Sequence, residues 1–258
     1  MSRICHGHRA VKYLENLAGI DINNEDSYLE FKRAKDRRDF IDHTKDNRQV
    51  PSALLSEDYL KSFKKFRSNF FMLSKNGGFT EEILDLFEIG GGYIDRYGFQ
   101  RDVIPIRDVN GVLRAYSCRD ITGQTDEDYK YILTKGFDKD KVLYNLHYAK
   151  DHMGKSRTLI VVEGFKSVWK LNMAGYKNVV ACMGSHITTG QQSLLYMYAF
   201  NVVLLLDMDK AGVKGTRSAV NDMIGKIGIK PLFLPYIDKD PADLGIEEIK
   251  KLLGGSYV

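Results

Sequence analysis

The chain has 258 residues, of which 43% are hydrophobic, and a formal net charge of +4 at pH 7. A chain of this length buries roughly 70 to 75% of the surface that its unfolded form exposes, and its mildly basic charge permits an acidic partner such as nucleic acid. The three scattered cysteines exclude a disulfide framework, and no apolar segment approaches the roughly 20 residues that cross a bilayer, so we expect a cytoplasmic protein without a membrane partner.

The first half of the chain predicts short helices followed by an antiparallel segment. The predicted elements are a charged connector (28–46), an amphipathic basic helix (59–71) and a short helix (80–87). Thr80 is the expected N-cap of the short helix, and Gly90-Gly91-Gly92 predicts a break after it. From Val103 to Tyr116, β-rich pieces flank Asn110-Gly111, which is the strongest signal for a two-residue hairpin loop.

After Gly154 the pattern changes to alternating strands and helices. The predicted strands are 159–162, 178–181, 202–206 and 230–234, and the predicted helices are 166–174, 189–198 and 215–227. Alternation of this kind predicts a parallel sheet with covering helices, whose ligands bind at the carboxyl ends of the strands. We expect the boundary between the two halves near 151–156.

Acidic residues follow two of these predicted strands. Glu163 ends the first, and Asp207 and Asp209 follow the third. If the strand continues, the two aspartates leave the same face and can reach one cation. Carboxylate oxygens suit Mg²⁺ or Mn²⁺, which act in phosphate chemistry. A polar turn at the strand end is the alternative for the aspartate pair alone, but the pair together with Glu163 favours a metal site.

Four segments carry a resemblance to a known family: Val161–Phe165, Met183–Ser185, Leu206–Gly212 and Lys239–Leu244. They resemble the Toprim domain of bacterial-type DNA primases. The resemblance implies an α/β fold with a Toprim-type parallel sheet and covering helices, preceded by a smaller mixed α+β basic subdomain. It also implies that Asp207, Asp209 and Asp240 hold Mg²⁺ or Mn²⁺, with Glu163 as a further ligand or as the general base.

The segment before the Toprim-like part narrows the resemblance to primases. Arg101–Asp108, Asn110-Gly111, Ser117–Arg119, Lys130-Tyr131 and Lys139–Leu146 resemble primase motifs and follow one another in the primase order. A template and a nucleotide need positive charge around an acidic centre. The residues expected to bind nucleotide or template are Arg101, Arg107, Arg119, Lys130, Lys139, Lys141 and Lys210.

The chain departs from the family pattern at two acidic positions. Ser167 stands where the family usually has a further Asp, and Ala242 stands where it has a second late acid. Asp243 is a candidate substitute whose register is shifted by one. The number of metal ions therefore stays open at this point.

The amino terminus resembles the end of a primase zinc ribbon over Cys5–Leu14. A structural zinc site needs four ligands, and none lies upstream of Cys5, so we expect no intact zinc site. The predicted domains are a ribbon remnant with connector (1–54), a basic primase subdomain (55–155), the Toprim domain (156–245) and a tail (246–258).

The function implied by the resemblance is that of a primase catalytic core, which makes short RNA primers on single-stranded DNA from ribonucleoside triphosphates. Its small size and the lack of an obvious helicase-docking region suggest a phage version. A replicative helicase and a separate zinc-ribbon segment are candidate partners. The alternatives are a Toprim nuclease that uses the same carboxylates with water, and a catalytically silent module that binds single-stranded nucleic acid.

Overall fold

The computed structural model describes residues 49–65, 78–126, 129–236 and 239–254, all within one unit of the chain, Gln49–Val258. The zinc-ribbon remnant, the charged connector, residues 66–71 of the predicted basic helix and the last four residues of the tail lie outside the described residues. The predicted boundary near 151–156 and the four-domain division stay predictions. None of the described helices is long and apolar enough to cross a membrane.

The first part of the described chain builds an antiparallel sheet. Helices α1 (Glu57–Lys65) and α2 (Glu81–Leu86) precede the strands β1 (Gly90–Ile94), β2 (Gln100–Arg107), β3 (Leu113–Asp120) and β4 (Tyr131–Leu133). The strands pair in chain order, β1-β2-β3-β4, and every pair is antiparallel. Helix α2 begins after Thr80, as predicted, although the Thr80 side chain caps no backbone N–H.

The second part builds a parallel sheet with helices. Its elements are α3 (Leu146–Ala149), β5 (Thr158–Val162), α4 (Phe165–Met173), β6 (Val179–Ala181), α5 (Thr189–Tyr198), β7 (Asn201–Leu204), α6 (Lys210–Met223), β8 (Gly228–Pro231) and α7 (Ile246–Leu253). The strand order is β6-β5-β7-β8 and all pairs are parallel. The predicted fold class, a parallel α/β sheet preceded by a mixed α+β segment, is confirmed.

The prediction that Gly90-Gly91-Gly92 breaks the chain is wrong, because these residues begin strand β1. A Cβ added at Gly90 would lie 2.6 Å from the Cβ of Phe63 in α1. Glycine is therefore required for the close approach of strand and helix and not for a break.

The β2–β3 hairpin is confirmed, but its loop is longer than two residues and runs from Asp108 to Val112. The Asp108 carboxylate accepts hydrogen bonds from the N–H groups of Asn110 (2.9 Å) and Val112 (3.1 Å), and Gly111 adopts a φ of +81°. The hydrogen bonds from the loop backbone to the Asp108 side chain therefore determine the loop conformation. Asn110-Gly111 alone would favour a two-residue loop.

One hydrophobic core joins the two sheets. Ile104 and Ile106 of β2 belong to the same buried cluster as Ile160 and Val162 of β5. Trp169 of α4 is fully buried in this cluster, and its indole N–H donates a hydrogen bond to the Tyr144 hydroxyl at 3.0 Å. Because one core anchors both sheets, the basic strands are held at a fixed position beside the parallel sheet.

Candidate metal and nucleotide site

The four predicted acidic residues, Glu163, Asp207, Asp209 and Asp240, gather at the carboxyl edge of the parallel sheet. β5 and β7 are hydrogen-bonded neighbours, so Glu163 after β5 and Asp207 after β7 emerge side by side. The Asp207 N–H donates to Oε1 of Glu163 at 3.3 Å. The Met208 N–H donates to the Lys239 carbonyl at 3.0 Å, which brings the late acidic motif to the same edge.

Asp207 and Asp209 do not leave one face of a continuing strand, so that part of the prediction is wrong. Strand β7 ends at Leu204, and Asp209 is the N-cap of α6, where its carboxylate accepts the Gly212 N–H at 2.7 Å. The predicted helix 215–227 consequently begins earlier, at Lys210. The two aspartates share the edge because the chain turns there.

The carboxylates at this edge repel one another in a partly buried setting. Burial, together with the charges of Asp209 and Asp240, raises the pKa of Glu163 to about 7, against the opposing effect of the hydrogen bond from the Asp207 N–H. Burial likewise raises the pKa of Asp207 to about 7, with Glu163 and Asp240 as the strongest charged neighbours. Both raised pKa values favour cation binding at this edge, because a cation would offset the repulsion between the carboxylates.

The carboxylate oxygens at this edge are the type of ligand atom that a hard divalent cation prefers. Oδ1 of Asp207 is buried and has no hydrogen-bond partner among the described residues. One oxygen of Asp209 and one of Asp240 are engaged by backbone N–H groups, from Gly212 and from Ala242 at 2.6 Å. In the described part of the chain, no three His, Cys, Asp or Glu side chains are grouped closely enough to hold a metal ion as they stand, so ion binding would have to draw these carboxylates closer together.

Two glycines of α6 and one residue with an unusual backbone conformation allow α6 to pack closely against the acidic edge. A Cβ added at Gly212 would collide with the Asp207 carbonyl and lie 2.6 Å from Oε1 of Glu163. A Cβ at Gly215 would collide with the carbonyl of Ser185, in the loop after β6. Met183 in that loop adopts a φ of +58°, which is uncommon outside glycine, and its N–H donates to the Glu163 carbonyl at 2.9 Å. Helix α6 is thus pressed onto the acidic edge.

Arg119, Lys130 and Tyr131 line the seam between the antiparallel sheet and α4. Arg119 lies opposite Tyr131 in the β3–β4 register and donates to its hydroxyl at 3.0 Å. The Tyr131 ring is 6.1 Å from the ring of Phe165, the first residue of α4. Burial lowers the pKa of Lys166 in α4, and the nearby charges of Arg119 and Lys130 lower it further. These predicted residues therefore face the start of α4.

Lys139 lies beside the loop that follows β6. Its ammonium lies 3.0 Å from the position that a Cβ on Gly184 would take. The fully buried Gln191 amide fixes this segment, because it donates to the carbonyls of Lys139 (3.2 Å), Val142 (3.1 Å) and Cys182 (2.9 Å). Sequence reasoning missed Gln191, although Thr188 and Gln191 have the spacing of a capping box, which the structure contains.

Lys141 and Lys210 are exposed, and so is His186 in the loop after β6. Lys141 forms an ion pair with Asp138 at 3.1 Å, and Lys210 lies in the first turn of α6. Of these, Lys210 is next to the acidic edge in the chain, which keeps it a candidate for phosphate binding.

Arg101 and Arg107, which are predicted to bind nucleotide or template, both have acidic partners within the protein. Arg101 is buried, pairs with Asp95 at 2.7 Å and also donates to backbone carbonyls. Arg107 forms ion pairs with Glu57 (2.7 Å) and Glu88 (2.6 Å). The structure assigns both a role in holding the antiparallel sheet and its helices together.

The departures at Ser167 and Ala242 are visible in the structure. Ser167 is buried in α4. Asp243 does not stand in for the missing acid in this arrangement, because its carboxylate accepts the Asp240 N–H at 3.2 Å in a reciprocal cap. Neither position 167 nor position 242 therefore provides a carboxylate that is available for metal binding.

Comparison with known proteins agrees with this geometry. Residues 157–234 match the family model of the Toprim domain. A DNA primase of Aquifex aeolicus is 32% identical over 173 residues, which make up 64% of this chain and 34% of the relative. The chain thus spans about a third of the length of that relative.

Solved structures share the fold. The RNA polymerase domain of Mycobacterium tuberculosis primase DnaG superposes with a TM-score of 0.65 at 18% identity, over 77% of this chain and 81% of that one. A DnaG primase catalytic domain bound to single-stranded DNA gives a TM-score of 0.64 at 22% identity, over 77% and 76%. The chain contains a Toprim domain and is related, in sequence and in fold, to the catalytic core of bacterial-type DNA primases.

Proposed function

We propose that this chain synthesises short RNA primers on a single-stranded DNA template by divalent-metal-dependent nucleotidyl transfer. One observation carries the proposal: an acidic edge, on which a buried oxygen of Asp207 has no hydrogen-bond partner in the described part of the chain, lies near a seam of cations that includes Arg119. An acidic centre alone repels phosphates, whereas this combination accommodates both a cation and a polyanion. Relatedness to primases supports the choice of reaction.

The reaction joins two nucleotides. The 3′-hydroxyl oxygen of the growing primer attacks the α-phosphorus of the incoming triphosphate, the bond to the β-phosphate breaks, and pyrophosphate leaves with its electron pair. When bound, Mg²⁺ or Mn²⁺ neutralises the phosphates and promotes ionisation of the hydroxyl. The residues that would hold the ion are Glu163, Asp207, Asp209 and Asp240.

Glu163 has two candidate roles that agree with its surroundings. As a ligand it would contribute one more hard oxygen. As a base it would take the proton of the primer hydroxyl, for which its pKa of about 7 is well matched to neutral pH. In either role, the N–H of Asp207 on Oε1 keeps the carboxylate pointed at the same edge.

The cations around the edge orient the polyanionic substrates. Arg119 and Lys130 lie on the side of the antiparallel sheet, and Lys139 lies by Gly184 on the side of β6. The relative solved with single-stranded DNA shares this fold, and we propose the same kind of template here. A replicative helicase, a zinc-ribbon segment acting in trans, a cytoplasmic location and a phage origin belong to the same proposal.

The direct test is incubation with a single-stranded DNA template, ribonucleotides and Mg²⁺ or Mn²⁺. We expect short RNA products that disappear with Asp207→Ala/Asp209→Ala, and unchanged products with the matched control Asp222→Ala on the exposed part of α6. Template cleavage in place of RNA would favour a Toprim nuclease, and binding without either reaction would favour a silent module. Equal product from the double variant would refute the assignment of the carboxylates.

A further inference from the structure

The cation Lys166 stands beside the acidic edge and was not among the predicted site residues. It is the second residue of α4, three positions after Glu163, and it is half-buried. Helix α4 packs against the turn Pro241–Asp243. The charged groups that face Lys166 are Asp240 and Asp243 of that turn and Arg119 and Lys130 of the antiparallel sheet.

The ammonium of Lys166 forms no ion pair with a carboxylate in the described part of the chain. No carboxylate there lies within 4.0 Å of it, whereas Arg101 and Arg107 have close acidic partners. Partial burial and the neighbouring cation Arg119 both disfavour its charged form. A lysine that is partly buried beside another cation is expected to bind an anion. The anion would be either the carboxylates of the acidic turn or a substrate phosphate.

The same region lacks the ligands that a second metal ion needs. Ser167 and Ala242 provide no carboxylate, and Asp243 is engaged by the backbone N–H of Asp240. Asp240 alone remains, with one oxygen held by the Ala242 N–H. A second divalent ion next to Lys166 would also experience repulsion between like charges.

We propose that Lys166 takes the place of a second metal ion, so that this chain works with a single divalent ion held by Glu163, Asp207 and Asp209. The ammonium balances Asp240 and Asp243 and, with Arg119, receives phosphate oxygens of the incoming triphosphate. A lysine suits this role because it is a compact point charge on a flexible stem. The inference rests on the proposed nucleotidyl transfer but concerns the number of ions and not the occurrence of the reaction.

The test counts Mn²⁺ ions per chain by calorimetry and by electron paramagnetic resonance of the free ion. The wild-type chain is expected to bind one ion. Ser167→Asp/Ala242→Asp, which restores carboxylates but keeps Lys166, is also expected to bind one. Adding Lys166→Met to that pair is expected to give two. Circular dichroism and thermal melting check that each variant is folded.

A single substitution tests the same idea without placing a charge in the core. Lys166→Met is expected to tighten the one Mn²⁺ site by about 3- to 10-fold, because a repelling charge is removed. Lys170→Met, one turn further along α4, is the matched control and is expected to leave the affinity unchanged.

Several outcomes overturn the inference. Two ions on the wild-type chain, two ions on the double variant that keeps Lys166, one ion on the folded triple variant, or an unchanged affinity in Lys166→Met would each contradict it. A wild-type chain that binds no Mn²⁺ overturns the metal assignment as well, whereas one bound ion without RNA synthesis removes only the proposed reaction.

Discussion

Asp102 lies directly opposite Arg119 in the β2–β3 register, and both oxygens of its carboxylate are buried without a hydrogen-bond partner among the described residues. The side chain is only 1% exposed. Burial, only partly offset by the positive charge of Arg119, raises the pKa of Asp102 to about 8. Asp102 is therefore protonated and uncharged at neutral pH. It leaves the positive charge of its cross-strand neighbour Arg119 available for the proposed phosphate binding.

Replacement of Asp102 by Asn is expected to stabilise the chain at pH 8. The folded state holds the Asp102 proton up to about pH 8, whereas an unfolded Asp releases it near its ordinary pKa of 3.8. The folded state thus binds more protons between these values, and the free energy of unfolding falls as the pH rises through them. We expect Asp102→Asn to gain on the order of 1–3 kcal/mol at pH 8 and progressively less toward pH 4, measured by urea unfolding.

The control for this prediction is Asp126→Asn, since Asp126 is exposed and should show no such pH dependence. If Asp102→Asn were less stable than the wild-type chain at pH 8, an ionised Asp102 paired with Arg119 would be the better description of the folded state.

Gly212→Ala is expected to weaken divalent-metal binding. The new Cβ would collide with the Asp207 carbonyl and approach Oε1 of Glu163 to 2.6 Å, so two groups of the acidic edge have to move. We expect a loss of Mn²⁺ affinity of about 10- to 100-fold, with a matching loss of primer synthesis. Isothermal titration with Mn²⁺ measures the first and a primer assay the second.

The matched control is Gly245→Ala, at the beginning of α7, where the nearest group is the end of the flexible Glu248 side chain at 3.3 Å. Mn²⁺ affinity that is equal in Gly212→Ala and in Gly245→Ala would show that the close approach of α6 does not shape the acidic edge.

Local sequence patterns were sufficient for the architecture but not for the side-chain partners. Buried apolar runs followed by Glu163 and by Asp207 indicated parallel strands and a shared edge, since periodicity and strand-end polarity are local signals. The start of α6 was misplaced because Lys210-Ala211-Gly212 resembles a turn. Only the cap from Asp209 to Gly212, together with the space that Gly212 leaves for Glu163, identifies it as the first helical turn.

Long-range partners decided which arginines face the site. Arg107 and Arg119 stand in equally primase-like motifs, yet Arg107 meets Glu57 from fifty residues upstream and Arg119 meets Tyr131. Gln191 likewise joins three carbonyls that are far apart in sequence. Pairings of this kind depend on tertiary packing, and a single sequence carries no local signal for them.

Stabilisation by Mn²⁺ is expected to grow as the pH rises from 6 to 8. The pKa values of Glu163 and Asp207 are both raised to about 7. Above this pH the folded chain carries both negative charges, which lowers its stability. At pH 6 the two carboxylates hold protons, and these protons compete with the ion. At about 100 times its Kd, Mn²⁺ is expected to raise the melting temperature by about 5–10 °C at pH 8. Differential scanning calorimetry at both pH values measures the shift.

In Asp207→Asn the shift should become small at both pH values, because the amide neither titrates nor offers a charged ligand. A shift that is equal at pH 6 and pH 8 in the wild-type chain would mean that ionisation of these carboxylates is not linked to ion binding.

Arg107 and Arg119 are expected to separate stability from template binding. Arg107 joins the exposed Glu57 of α1 to the half-buried Glu88 beside β1, so Arg107→Ala removes both of these ion pairs and leaves Glu88 with Lys64 at 3.6 Å. The substitution should cost about 1–2 kcal/mol of unfolding free energy. Arg119→Ala should instead weaken single-stranded DNA binding and lower the slope of log affinity against log salt by about 1. Urea unfolding and fluorescence anisotropy at several salt concentrations measure both quantities for both variants. The opposite assignment, a reduced salt slope in Arg107→Ala with unchanged stability, would return Arg107 to the template-binding surface predicted from its motif.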